Sequence, residues 1–399
     1  MANKKSKGFN LNKALPVLIP VLIAAIVVSA FAISGRVDKS VNDNNPNRTT
    51  VATTTTKPQH TKVELIAVGD NLIHMPVVNS GKQEDGSYNF DYMYEPFRKY
   101  VEAADIACIN QETRLGGSSF PYKGYPMFNS PQEIGEAAIN AGFDVFTLAT
   151  NHSMDVKAAG IEKEIEFFNK HPDVIHIGTN LTMDDYNKIT YSEKNGIKFA
   201  YLNYTYGTNG IPIPEDKPYL VNLLREEKVT KDITEARKNA DIVIVFPHWG
   251  TENSHEINEE QKKYVQLFSK LGVDIVIGTH PHVIQPVQWV TNPETGKKML
   301  VYYSIGNFLS RQIELNQMCG GMAEITIEKN NETVSITNAK FAPTIDYYTQ
   351  TDDGLKFGVY KYCDYTPELA KKQVQSGATV DYFTNLSKKY ISEEFLDLN

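Results

Sequence analysis

Cysteine is scarce in this chain: Cys108, Cys319 and Cys363 are the three among 399 residues. Three scattered thiols support neither a disulfide framework nor a cysteine zinc cluster. Cys108, inside an apolar run, reads as a small core residue. None of the three lies near the N-terminal apolar stretch, where a lipid could be attached. A P-loop is also missing, so any energy-requiring step must draw on a partner. Residues 1–36 contain no acidic residue and carry Lys4, Lys5, Lys7, Lys13 and Arg36. With five of the 40 basic residues spent there, the rest sets 35 against 48 acidic residues, a formal charge of −13. Such a body excludes non-specific nucleic-acid binding, which depends on Lys and Arg neutralising phosphates. An anionic substrate must therefore meet a metal or a local basic patch.

The basic start precedes residues 14–33, ALPVLIPVLIAAIVVSAFAI, an uncharged and mostly apolar run of 20. That is about the length needed to cross a bilayer as a helix. Lysines before it and an acidic bulk after it predict a cytoplasmic N-terminus and an extracytoplasmic body at the cell membrane. Pro16 and Pro20 fall near the start of the span, where they are tolerated. The competing reading is a cleaved signal peptide ending at Ala30-Phe31-Ala32, although the run exceeds a typical signal core. The chain then divides into a basic N-terminus (1–13), a transmembrane signal anchor (14–33), a flexible Thr/Asn-rich linker (34–61), a main domain (62–345) and a C-terminal extension packing on it (346–399). The linker has almost no large apolar side chain to bury, and His60 within it reads as solvated.

From residue 62 onward apolar strands alternate with helical patterns. VELIAVGD (63–70), DIACIN (105–110), FDVFTLAT (143–150), DIVIVFPH (241–248), VDIVIGTH (273–280) and MLVYYSIGN (299–307) read as buried strands. Ser130-Pro131 with Glu133 has the form of a capping box opening a helix that stops before Gly142. A second helix is expected over 257–272, ending on Gly272. MAEITIEKNNETVSITNAKF (322–341) reads as a hairpin turning near Asn330-Asn331. Alternating strands and helices imply an α/β layer architecture, with the hairpin forming a second sheet or a mixed edge. At 41% hydrophobic, a chain this long can bury a sizeable core.

The strand ends carry the chemistry. VDIVIGTHPHVIQP (273–286) stops on His280-Pro281-His282. Residues two apart on an extended chain face the same way, and Pro281 disfavours helix at His280. Two imidazoles are therefore expected side by side at the end of a stiff element. The other strands deliver Asp70, then Asn110-Gln111-Glu112, Asn151-His152 and His248. In open α/β sheets the C-terminal rim is where ligands bind. Two carboxylates, an amide and four imidazoles suit Mn, Fe, Zn or a related divalent ion. Each piece has a bland reading. Gly-Asp is common after strands, Asn151-His152 can be a helix cap, and His248 can pack on Trp249. The joint placement on one rim is what points to a site. His74, His171, His176 and His255 lack that placement and read as surface or supporting groups. YLNYTYGTNG (201–210) is either a loop beside the site or a strand with an ordinary turn.

In order, AVGDNLIH, INQETRL, LATNHSMD, FPHWGTE, GTHPHVIQP and YSIGNFL resemble the motifs of the CapA family of poly-gamma-glutamate capsule-synthesis proteins. The resemblance covers roughly residues 62–310, and that family is similar to the calcineurin-like metallophosphoesterases. It implies a four-layer α/β/β/α metallophosphoesterase-like sandwich behind the transmembrane helix, with a dinuclear site. Asp70 and His282 would hold one metal, and Asn151, His248 and His280 the other, with Glu112 bridging. Such a pair can polarise a phosphoryl oxygen. His152 would act as general acid, oriented by Asp155, while Trp249, Glu252 and Asn307 would support the ligands or line the pocket. Metallophosphoesterases place a histidine two residues after the first aspartate, and here that position is Leu72, which leaves the first metal weak unless His74 or solvent replaces it. Glu112 in place of aspartate lengthens the bridge by one methylene. The implied role is capsule polymer synthesis or export alongside synthase and export subunits of the cell membrane. Two function classes follow: a metal-dependent hydrolase of a phosphate ester or amide, or a non-catalytic accessory that binds the anionic polyglutamate or stabilises a synthase–exporter complex.

Overall fold

The computed structural model describes residues 60–399. The basic N-terminus, the apolar span and the linker up to residue 59 lie outside the described residues. Among the described residues no helix is long and apolar enough to cross a membrane. In chain order the first strands are β1 (His60–Asn71), β2 (Ile106–Gln111), β3 (Val145–Thr147), β4 (Ile175–Ile177), β5 (Thr190–Lys194), β6 (Ile197–Thr205) and β7 (Ile242–His248). Then follow β8 (Ile275–Ile277), β9 (Val287–Thr291), β10 (Lys298–Tyr302), β11 (Asn307–Leu309), β12 (Cys319–Asn330), β13 (Thr333–Thr351) and β14 (Gly354–Lys361). One sheet runs β14-β13-β12-β1-β2-β3-β4 with β11 added beside β1, and the other runs β5-β6-β7-β8-β10-β9.

Period-two alternation sorts the second sheet's side chains between two cores. Phe199, Tyr201, Ile244, Phe246, Ile275 and Tyr302 pack toward the first sheet, together with residues such as Leu65, Ala67 and Ile109. Their sequence neighbours Ala200, Leu202, Val243, Val245 and Val276 face the other way. They meet Val229, Ile233 and Ala236 of the helix Glu226–Asn239, and Val265 and Phe268 of the helix Glu259–Leu271. On the first sheet, Val77, Val101 and Ile134 from the helices Met75–Gly81, Arg98–Glu102 and Glu133–Asn140 join the larger core. The layers are helix, sheet, sheet, helix.

Local signals held at some ends and failed at others. The helix Glu259–Leu271 is capped reciprocally by Asn258 and Gln261 and stops at Gly272, which takes the left-handed conformation that glycine favours. The expected capping box at Ser130 does not form. That helix starts at Glu133 behind Gln132, because the Ser130 hydroxyl is engaged with Thr113, 3.0 Å away. The hairpin is present as β12 and β13, and it extends the first sheet antiparallel to β1. The expected boundary at 345/346 falls inside β13, so the C-terminal part is integral to that sheet. Likewise β1 already begins at His60, inside the expected linker, and His60 pairs with Glu328 at 3.2 Å.

The run MLVYYSIGN does not form one strand. It divides into β10 in the second sheet and β11 in the first, so the chain changes sheets between them. The crossing is tight: a Cβ on Gly69 would lie 1.8 Å from the Gly306 carbonyl oxygen, and Gly306 has φ 65°. Glycine permits both features. The result is register pairing of Asn307 with Asp70, two positions far apart in sequence.

Candidate metal centre

The C-terminal ends of β1, β2 and β3 in one sheet meet those of β7 and β8 in the other. Asp70, Glu112, Asn151, His152, His248, His280 and His282 are all buried there. The expected extended His-Pro-His is not what forms. β8 ends at Ile277, and His280 and His282 have φ values of 98° and 59°. Pro281 keeps His280 out of the helical region, but the loop resolves this with positive φ instead of an extended chain. Left-handed backbone at a non-glycine residue costs on the order of 1–3 kcal/mol and clusters at functional sites. The two rings still converge, with centroids 5.9 Å apart.

Glu112 sits at the centre. Its Oε1 lies 3.7 Å from His248 Nε2, 3.7 Å from His282 Nε2 and 4.0 Å from His152 Nε2. Neither carboxylate oxygen has a hydrogen-bond partner, and His280 Nδ1 has none either. Buried polar atoms normally have partners, so this is the signature of a place built for something else. Burial first, then the Asp70 carboxylate, pushes the Glu112 carboxyl well above its ordinary range. Burial, then the neighbouring imidazoles, holds His248 and His280 well below theirs, which leaves them neutral with lone pairs to donate. Burial would also lower His282, but Glu112 and Asp70 outweigh it and raise it to about 9. Ligand atoms of Glu112, His280 and His282 lie within 4.8 Å of one another. His248 Nε2 is 3.0 Å from Asn151 Oδ1, and its Nδ1 is 3.0 Å from Thr279 Oγ1. Atoms sharing an ion at ~2.0–2.1 Å each sit roughly 3 Å apart. The donor set fits a divalent cation.

Asp70 occupies a different side. Its Oδ2 is 3.0 Å from His282 Nδ1, which is also 3.0 Å from Asn307 Oδ1, and its Oδ1 accepts from Asn110 at 2.7 Å. His282 therefore presents Nε2 to Glu112 and Nδ1 to Asp70. The closest grouping places both loop histidines with Glu112, where the resemblance divides them between two ions. His74 does not fill the place left by Leu72. Its Nδ1 accepts from the Arg311 amide at 3.3 Å, and burial lowers it to about 4.

Beside the cluster stands a second arrangement. His152 Nδ1 is 2.7 Å from Asp155 Oδ2, which also accepts the Phe128 amide at 2.6 Å, and the Phe128 ring meets His152 edge-on at 4.7 Å. The loop after β6 does lie beside the site: Tyr206 packs on His280 at 4.6 Å, and Asn209 Nδ2 comes within 3.5 Å of His152 Nδ1. Trp249 is buried against Phe268 and Tyr303, supporting the site from behind. The remaining histidines lie apart from the cluster. His171 pairs with Glu136, His176 stacks on Phe168, and His255 stacks on Tyr390. Sequence reasoning missed Arg114, which stands fully buried two residues after Glu112. A lone arginine so near a strand end was the available signal.

A four-layer α/β/β/α body with a carboxylate–imidazole cluster at its strand ends defines an α/β protein with a candidate metal site. The chain belongs to the family of bacterial capsule synthesis proteins PGA_cap, which matches residues 64–312. It is 31% identical over 190 residues to the PGA biosynthesis protein CapA of Bacillus subtilis (strain 168), covering 47% of this chain and 48% of that protein. It is 27% identical over 265 residues to the capsule biosynthesis protein CapA of Bacillus anthracis, covering 64% and 61%. The matches thus span about half to three fifths of these curated relatives. Among solved structures, the calcineurin-like phosphoesterase YfkN from Bacillus subtilis overlaps with TM-score 0.41 and 14% identity, covering 83% of this chain and 97% of that one. A hypothetical protein from Thermus thermophilus overlaps with TM-score 0.40 and 13% identity, covering 75% and 99%.

Proposed function

We propose that this chain is a membrane-anchored, extracytoplasmic protein of poly-γ-glutamate capsule synthesis or export whose metal centre hydrolyses a phosphate ester. Family membership and the capsule and PGA biosynthesis roles of the two CapA relatives support the capsule reading. The basic residues before the apolar run and the acidic body after it support the topology. The partners are the synthase and export subunits in the membrane and the anionic polymer itself.

One observation carries the hydrolytic reading: the His152–Asp155 pair, which a metal cage does not require. Asp155 takes the Nδ1 side of the ring and turns Nε2 toward Glu112. In this reading His152 passes a proton from Nε2 to a leaving-group oxygen. Glu112, His280 and His282, with His248 and Asn151 beside them, would hold Mn, Fe or Zn, and the Asp70 side, short of a ligand at Leu72, would hold a second ion weakly. Such ions supply Lewis-acid polarisation of the scissile group. Tyr206, 40% exposed, packs over His280 and covers that side of the cluster.

Leu72 favours the second reading, a non-catalytic accessory that keeps the centre to bind polymer or to stabilise a synthase–exporter complex. Turnover of a panel of phosphomonoesters and phosphodiesters by the metal-loaded full chain separates the two. His152→Ala is expected to lower turnover about 10²–10⁴-fold with metal content unchanged. A wild-type chain that binds metal and turns over nothing in the panel leaves the accessory role standing.

A further inference from the structure

Arg114 and Glu164 form an ion pair whose side chains are both wholly buried, with Nη1 2.5 Å from Glu164 Oε2. Glu164 belongs to the helix Lys157–Phe168 and also accepts the Leu115 amide at 3.1 Å. The other arm of the guanidinium reaches two main-chain carbonyls, Leu148 at 2.8 Å and Gln111 at 3.3 Å. Gln111 immediately precedes Glu112, and Leu148 lies three residues before Asn151. Close by, the Thr150 hydroxyl donates to the Glu112 carbonyl at 2.9 Å. One buried side chain thus ties together the ends of β2 and β3, each of which carries a candidate ligand.

Stability alone does not account for this pair. A buried ion pair is often no more stabilising than apolar residues of similar volume, and Arg114 Nε has no partner. A planar fork that meets three acceptors in fixed directions does something else, which lysine cannot copy. We propose that Arg114 and Glu164 are positioning residues that fix the backbone segments bearing Glu112 and Asn151 relative to each other for ion binding, an inference that rests on the metal-centre reading.

A comparison pair exists in the same protein. Lys228 and Asp232 form a second buried ion pair, at 2.7 Å, which engages Tyr186 and Tyr204 and none of the ligand-bearing strand ends. The test is calorimetric titration of chelator-stripped full chain with Mn²⁺ and Zn²⁺, beside the unfolding midpoint of each metal-free variant. Arg114→Lys and the gentler Glu164→Gln are expected to weaken binding about 10–100-fold, as loss of ligand-orienting groups does. Asp232→Asn is expected to lower the midpoint while leaving affinity within about twofold of wild type, since it touches no group that orients a ligand. Wild-type affinity in Glu164→Gln, or an equal loss in Asp232→Asn, overturns the inference. A wild-type chain that binds neither ion removes the metal-centre reading itself, and this inference with it.

Discussion

Replacing Glu112 with glutamine should change stability in opposite directions with and without metal. In the metal-free chain two buried carboxylate oxygens have no partner. A buried, unsatisfied polar group costs about 1–3 kcal/mol, and more when charged. Burial already disfavours the ionised carboxyl; glutamine is neutral at every pH and offers an amide that can donate to a neighbouring imidazole. Chelator-treated Glu112→Gln should therefore be more stable than wild type by about 1–3 kcal/mol. With metal the order reverses. An ion at 100–1,000 times its dissociation constant adds about 2.7–4.1 kcal/mol to a chain that binds it only when folded. The variant has lost the carboxylate ligand and gains little of this, so at the middle of both ranges it should finish about 1.4 kcal/mol below wild type. Urea unfolding of both chains, in EDTA and in saturating Mn²⁺, measures all four values. If the variant is the less stable chain in EDTA, or gains as much from Mn²⁺ as wild type, then Glu112 is not the centre of an ion site.

Two further outcomes are expected. Burial raises the Asp346 carboxyl to about 7 despite hydrogen bonds from Ser310. A raised folded-state acid binds protons that the unfolded chain has released, so its stabilising contribution is present at low pH and is lost as pH rises toward 7. Wild type should therefore lose about 2.5 kcal/mol more than Asp346→Asn between pH 5 and pH 8, and parallel denaturation curves for the two chains would dispose of the assignment. For the topology, protease added outside intact cells should release the folded body by cutting between residues 34 and 59, and a fully protected chain would contradict it.

Much of the architecture was legible because it rests on short-range patterns. The apolar runs at 63–70, 105–110 and 241–248 each became strands, since a buried strand needs only a continuous apolar segment between turns. Asn258 and Gly272 bounded their helix through contacts made within a few residues. The same logic failed at Ser130, whose hydroxyl found a partner 17 residues away in Thr113. It failed again at MLVYYSIGN, where strand propensity cannot tell which sheet each half will join. The candidate ligands were legible as residue types after strands. Their mutual distances were not.

The sequence alone determined the chain's family, through motifs that recur in a set order, and the likeness of each motif to a strand end carrying one polar group. It also determined the charge asymmetry around the apolar run. The tertiary structure alone decided that Asn307 pairs with Asp70, that His280 and His282 turn on positive φ toward Glu112, and that Arg114 joins two strand ends to Glu164. Local patterns are set by periodicity and turn chemistry within a few residues, whereas a buried polar cluster depends on which distant strand ends the two packed sheets bring within 4 Å.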